Sequence, residues 1–434
     1  MKRILLVGLL LISFLSGCQK ENEIAPEERP DARLNKILSD YKTQLVSAPY
    51  GWKAVLYPAS GAGYSLLINF AENDRLSMTS DINAATAATA LESTYRLKAM
   101  QTPSLLFDTY SYLHILSDPD ATVSGGDWGA GKYSDFEFTF ESVTAETITL
   151  KGNLQGSRLV LTKATQDESS NFIARAAATA TLFQNINTFT TYFKRLTAGS
   201  TVLDVATDTD LRTITFNYLE GGATRTFTTS YYYTENGIML LTPFVNSNFT
   251  ITGFSDLQYS TINHRFNLTV NNAPATIQEA SRPAAVDVQA ARNFYNTAEN
   301  DYWVAETGFT VNGEVDALKV SEITDFSFLT FWPRFGSSGN NTYDLLGFIV
   351  FNQAENQAEI GYGPAATQSI TNDGRIIYNY IGDLGTVPAA DLDKVTATRE
   401  IWTDPQGFYV VPVDESTIDL VSAKDAKSWI RLYH

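Results

Sequence analysis

Short runs rich in Thr, Tyr, Phe, Ile and Val, separated by Gly, Asn and Asp, recur along the chain from Trp52 onward. Early runs are Trp52 to Tyr57, Tyr64 to Phe70, Phe136 to Phe140, Ile148 to Lys151 and Arg158 to Thr162. Later ones are Thr213 to Tyr218, Thr226 to Tyr233, Phe266 to Val270, Leu345 to Phe351 and Phe408 to Val411. Runs of this length and composition, bounded by turn residues, read as strands with alternate side chains on opposite faces. Between them stand Asn73-Asp74, Gly152-Asn153, Asn236-Gly237 and Asn372-Asp373-Gly374. Asn-Gly and Asp-Gly favour hairpins because both residues tolerate positive φ. A β chain must close or protect its sheet edges. The expected fold is therefore mainly β, in antiparallel barrel-like or sandwich-like units with a few short helices.

Three segments show helical spacing instead. Leu34, Ile37, Leu38, Tyr41 and Leu45 share one face, with Asp31 placed to cap it. Leu182, Ile186, Phe189, Phe193 and Leu196 form a second stripe that Gly199 could end. A third spans about Val286 to Asn300 and carries Phe294 and Tyr295. Polar connectors at Lys163 to Ser170 and at Glu279 to Ala285 precede the second and third segments. These marks divide the chain into an N-terminal β domain (31–165), a middle helix plus β region (166–285) and a C-terminal β domain (286–434).

The first thirty residues read differently. Lys2 and Arg3, an apolar run from Ile4 to Leu15, and Leu15-Ser16-Gly17-Cys18 have the layout of a signal peptide over residues 1–17. The run is shorter than the roughly 20 apolar residues that cross a bilayer. Cys18 after Leu-Ser-Gly resembles the lipobox of bacterial lipoproteins, in which that thiol takes a diacylglyceryl group. Residues 18–30 are polar, hold two prolines and read as a flexible tether. Gln19, in place of a retention-type Asp, points to the outer membrane. Lys20-Glu21-Asn22-Glu23 is similar to the acidic export signal of surface lipoproteins. The expected localisation is thus export with a lipid anchor in the outer membrane, extending to the cell surface. Cys18 is the one cysteine in the sequence, so the folded part can hold no disulfide and no thiol nucleophile.

Charge narrows the partners. The formal net charge is −17, and loss of Lys2 and Arg3 with the signal would make it more acidic still. Nucleic acid binding rests on clustered Lys and Arg, so nucleic acid is not an expected partner. Electrostatic adhesion to anionic lipid is disfavoured on the same ground. The expected membrane contact is the N-terminal lipid alone. Much of the acidity also suits plain solubility.

Signatures of catalysis are sparse. His114, His264 and His434 show no metal-binding spacing, and no His-Glu-x-x-His, Gly-x-Ser-x-Gly or phosphate-loop pattern occurs. Carboxylate pairs of glycosidase type lie far apart in sequence, and 48 acidic residues nominate no particular pair. No cofactor is expected. Phe107 to Leu116, taken as a strand, would set Asp108, Tyr110, Tyr112 and His114 on one side and Phe107, Leu113 and Ile115 toward the core. Tyr110, Tyr112 and His114, with Trp128 nearby in sequence, are the candidate ligand pocket. The same pattern also fits an ordinary hydrogen-bonded sheet face. Asp118, Asp120 and Asp127 beside Gly125-Gly126 offer oxygen ligands of the kind calcium takes, although their spacing departs from an EF-hand and equally suits a solvated loop. Tyr231-Tyr232-Tyr233 and Phe328 to Trp332 concentrate rings that either pack the core or face a ligand.

Several stretches resemble a family of Bacteroidota lipoproteins catalogued as a domain of unknown function. They are Leu34 to Leu38 with Tyr41 and Leu45, Ala48-Pro49-Tyr50-Gly51-Trp52, Leu105 to Tyr110, Gly156-Ser157-Arg158 and Tyr232 to Ile238. Members are typically encoded beside starch-utilisation-type outer-membrane importers and their lipoprotein partners. The resemblance implies an accessory lipoprotein of a nutrient-uptake locus and supplies no catalytic residue. The expected function is non-catalytic capture or presentation of a glycan or peptide for an outer-membrane nutrient importer. An interaction subunit docking on other outer-membrane proteins is the first alternative, and a hydrolase with an unrecognised carboxylate site is the second.

Overall fold

A computed structural model describes residues 30–247, 249–297, 302–338 and 341–434. The signal peptide, Cys18 and nearly all of the tether lie outside the described residues. About 48% of the chain is strand and 19% helix, arranged as two closed eight-stranded antiparallel barrels and a third sheet. The chain divides into two compact units. Among the described residues, one holds 30–60, 66–80 and 88–170, and the other holds those of 61–65, 81–87 and 171–434.

The first barrel is an up-and-down meander. It runs β1 (Trp52–Tyr57), β2 (Tyr64–Phe70), β3 (Arg75–Ser80), β4 (Leu91–Ala99), β5 (Pro103–Phe107), β6 (Glu137–Val143), β7 (Thr147–Gly152) and β8 (Arg158–Lys163). β1 closes on β8 in antiparallel register from Trp52 opposite Lys163 to Tyr57 opposite Arg158. Alternation fills the interior: Trp52, Ala54 and Leu56 are buried, as are Ile148 with Leu150 and Leu159 with Leu161. Helix α1 (Pro30–Val46) precedes this barrel. It starts at Pro30, which puts Asp31 inside the first turn, where its charge favours the helix dipole. Leu45 is buried, and its carbonyl accepts from Trp52 Nε1 at 2.7 Å.

The second barrel repeats the plan with β9 (Phe193–Ala198), β10 (Thr201–Asp208), β11 (Thr213–Glu220), β12 (Ala223–Tyr233), β13 (Ile238–Val245), β14 (Thr250–Ser260), β15 (Arg265–Val270) and β16 (Ala273–Ala280). β16 returns to β9, with Ile277 opposite Leu196. The Asn236-Gly237 turn joins β12 to β13, and Gly237 is required there for space: a Cβ would collide with Phe254 O. The preceding helix differs from the sequence expectation. It spans Gln166–Phe183, followed by a 3₁₀ turn at Gln184–Thr188, while Phe193 and Leu196 belong to strand β9. Thr165 and Glu168 form a capping box: Thr165 N donates to Glu168 Oε2 at 2.8 Å, and Glu168 N to Thr165 Oγ1 at 3.3 Å. Ala-rich spacing buries Phe172, Ile173, Ala176 and Phe183, and Phe183 packs edge-on against Tyr231 at 5.7 Å. The apolar stripe from Leu182 to Leu196 thus crosses a helix end, a 3₁₀ turn and a strand.

A nine-stranded sheet completes the chain, ordered β17-β19-β20-β21-β22-β23-β24-β25-β18. Its strands are β17 (Trp303–Ala305), β18 (Thr310–Val311), β19 (Phe326–Ser338), β20 (Asn341–Asn352), β21 (Gln357–Ile370), β22 (Arg375–Gly385), β23 (Phe408–Pro412), β24 (Thr417–Ser422) and β25 (Ser428–Tyr433). β17 also meets β25, at Val304 and Tyr433. The third sequence-predicted helix is described over Ala290–Thr297, and residues 298–301 lie outside the described residues. Phe294, Phe331, Tyr378 and Trp402 pack as one aromatic core, with Tyr378 stacked on Trp402 at 4.8 Å.

Candidate functional site

The segment proposed as a tyrosine- and histidine-bearing strand is not one. β5 ends at Phe107, and Tyr112–Leu116 is a short helix. Ser111 N donates to His114 Nδ1 at 3.1 Å, a local capping contact that competes with extension. Leu113 and Leu116 are buried, as a helical turn requires. His114 lies stacked between Tyr110, at 5.6 Å, and Phe136, at 4.4 Å. Burial holds its pKa below the ordinary 6.5, against a backbone hydrogen bond at Phe107 that favours the cation. The Tyr110 hydroxyl donates to Asp118 Oδ2 at 3.0 Å, while the Tyr112 hydroxyl turns to Thr89 O at 2.8 Å. Trp128 stands 73% exposed. The fold therefore joins Tyr110 to His114 and gives Tyr112 a separate partner.

The three candidate calcium ligands have partners of their own. Asp118 Oδ1 accepts from Asp120 N at 2.9 Å, Asp120 Oδ1 from Thr122 N at 2.8 Å, and Asp127 Oδ2 from the Tyr133 hydroxyl at 2.9 Å. Among the described residues, no group of three or more His, Cys, Asp or Glu side chains is placed to hold a metal ion.

A second site lies wholly within the second unit. There a cleft of about 630 Å³ is lined by residues of β9–β12, of the 283–287 segment and of β23 and β25. Ligand pockets commonly fall in this size range. On one wall, β10 and β11 contribute Asp204, Ala206 and Asn217, and β12 adds Thr224, Arg225 and Thr226. Opposite stand Tyr409, Val411, Trp429 and Arg431. Strand alternation explains this second row. Phe408, Val410, Leu420, Ile430 and Leu432 fill the core of the third sheet, so Tyr409, Val411, Asp419, Trp429 and Arg431 must face the other way.

Two ion pairs reach the cleft, each through one lining residue, Arg431 in one and Asp204 in the other. Asp419 is fully buried and takes Arg431 Nε and Nη2 at 2.9 Å each. The Tyr192 hydroxyl donates to Asp419 Oδ2 at 2.7 Å. Burial, followed by the Asp419 charge, pushes the Tyr192 pKa well above 10. In the second pair Arg195 Nε donates to Asp204 Oδ1 at 2.7 Å, and Asp204 Oδ2 accepts from Ala284 N. Arg195 also reaches Arg282 O, so this pair fastens the 282–284 segment to the barrel wall. Burial raises the Asp204 pKa against its hydrogen bonds and the Arg195 charge.

None of the residues lining this cleft is among the site residues expected from the sequence, although several belong to its expected strands. Its one local trace is a charge in the middle of an apolar strand, as in Thr417-Ile418-Asp419-Leu420-Val421 and Trp429-Ile430-Arg431-Leu432. A buried ion needs a partner, and these two stand opposite each other on paired strands.

Comparison with known proteins adds a family and little else. None of the curated proteins matches the chain. Among solved structures, the octameric penicillin-binding protein homologue from Pyrococcus abyssi is similar at 12% identity and a TM-score of 0.15, over 34% of this chain and 36% of that one. The chain thus spans about a third of that protein's length. DNA polymerase III subunit beta from Borrelia burgdorferi aligns at 7% identity and a TM-score of 0.14, over 92% and 96% of the two chains. Neither likeness carries an argument at such scores. The family model titled "Domain of unknown function (DUF4302)" matches residues 23–261, more than half of the sequence, and the chain belongs to that family.

Proposed function

We propose that this chain is a lipid-anchored, non-catalytic binding protein that holds an extracellular ligand in the cleft between β10–β12 and β23–β25. The observation that carries the reading is the cleft itself, concave, mixed in polarity and lined by Tyr192, Tyr218, Tyr409 and Trp429. Rigid rings with a polar tip supply contact area at small entropic cost. Hydrolysis has less support, because Asp204, the buried carboxylate of the lining, and Asp419, buried beneath Arg431, are each held by an arginine. A general acid or base must reach the substrate.

Cys18 after Leu-Ser-Gly supports attachment to the outer membrane, with the following polar segment as tether. Among the described residues, no helix is long and apolar enough to cross a membrane. The resemblance to lipoproteins of starch-utilisation-type loci in Bacteroidota supports service to an outer-membrane importer, with a glycan or peptide as cargo. Two measurements test this. Cys18→Ala should move the protein from the detergent phase to the aqueous phase in a cloud-point extraction. Hydrogen exchange with glycan and peptide fractions should slow at 192–195, 204–207, 409–415 and 429–431. Unchanged exchange there with every fraction would refute ligand capture at this cleft.

A further inference from the structure

We infer that the cleft is built for an uncharged polyhydroxylated ligand, a neutral saccharide, and not for an anion; this rests on the reading of the cleft as a capture site.

The charges argue first. Arg431 is the cation best fixed in the wall, yet the fully buried Asp419 neutralises it, and Asp204 does the same for Arg195. The other charged groups lining the cleft are Lys194 and Arg225 against Asp287, Asp414 and Glu415. That balance leaves no excess of positive charge to hold a carboxylate or phosphate, and the chain as a whole carries −17. An arginine already bound bidentately through Nε and Nη2 keeps its Nη1 donors, which suit neutral acceptors such as hydroxyl oxygens.

Polar groups on the facing wall fit the same chemistry. Thr226 Oγ1 donates to Asn217 Oδ1 at 2.9 Å, which orients the amide and leaves its NH₂ as donor. Aligned hydroxyl and amide groups across from Trp429 and Tyr409 match a sugar ring, which has a polar rim and apolar C–H faces.

The test measures calorimetric binding and hydrogen exchange of the full chain in detergent with three probes: mixed neutral gluco-, xylo- and manno-oligosaccharides, oligogalacturonate, and a tryptic digest of casein. Neutral oligosaccharide should bind and protect 204–207, 409–415 and 429–431. Trp429→Ala should weaken it by about tenfold or more and Asn217→Ala by about three- to tenfold, the scale of one lost stacking or hydrogen-bonding group. Asn217 lies on a solvent-facing strand position, so its variant keeps the test open if Trp429→Ala fails to fold. Cleft protection by oligogalacturonate or by peptides alone overturns the neutral-saccharide inference and leaves ligand capture standing. Saccharide binding that protects only other segments overturns the assignment to this cleft. Absence of cleft protection with all three probes overturns both readings.

Discussion

Asp419 and Arg431 stand opposite each other on the antiparallel pair β24–β25, the carboxylate fully buried and the guanidinium side chain 50% exposed. The asymmetry of exposure predicts an asymmetry of energies. Arg431→Met would strand a carboxylate away from water and should cost about 3–5 kcal/mol. Asp419→Asn leaves a cation that solvent can reach and should cost about 1–2 kcal/mol. Urea unfolding of both single variants and the double variant would measure the pair, and equal costs would contradict the burial argument.

A buried carboxylate of a different kind lies in the third sheet. Asp344 is 1% exposed, and burial raises its pKa to about 6, against hydrogen bonds from Arg334 N and the Tyr295 hydroxyl. A carboxyl whose folded pKa exceeds its unfolded value stabilises the fold below the unfolded pKa of 3.8 and loses that contribution as pH rises through about 6. The loss is at most about 3 kcal/mol. Chemical denaturation between pH 4 and 8 should show this fall, and Asp344→Asn should flatten it.

His114 has the opposite sign. Its pKa is lowered by burial between Tyr110 and Phe136, so the fold favours the neutral ring. Stability from this group is complete above the unfolded value of 6.5 and falls as pH drops below it. Hydrogen exchange over 107–116 should accelerate on acidification in the native chain and lose that dependence in His114→Phe.

In the first barrel, Asp135 gathers the β7–β8 turn. Its carboxylate accepts from Leu154 N, Gln155 N, Ser157 N and Ser157 Oγ, at 2.6 to 3.0 Å. Gly152 sits so close to this carboxylate that a Cβ would collide with it. Asp135→Ala leaves buried donors unpaired and should cost about 2–4 kcal/mol. Gly152→Ala should also destabilise, by overpacking. Thermal unfolding and exchange protection of β7 and β8 would report both.

Trp128 provides a contrasting case, because its 73% exposure leaves little packing to lose. Trp128→Ala should change stability by less than about 0.5 kcal/mol. A binding defect in that variant with unchanged melting would assign ligand contact to the 107–128 region as well as to the cleft.

The strands were legible because their information is local. Nine of the ten segments named from sequence alternation fall within strands and the tenth, Phe136 to Phe140, starts one residue before β6, while the turns at Asn73-Asp74, Asn236-Gly237 and Asn372 to Gly374 join neighbouring strands. Local pattern misled where two periods coincide. Leu182, Ile186, Phe189, Phe193 and Leu196 keep helical spacing by chance, while the true helix start, the Thr165–Glu168 capping box, lay in a stretch read as connector. Phe107 to Leu116 alternates like a strand, yet the Ser111–His114 contact turns it helical.

Period-two alternation and turn chemistry alone determined that this chain is built of antiparallel strands, since each depends on residues a few positions apart. Tertiary structure decided closure and the cleft. β1 meets β8 across more than a hundred residues, and Tyr192 reaches Asp419 across 227. Nothing local marks such pairs, because a sheet's outer face reads as polar whether it meets water or the wall of a binding site.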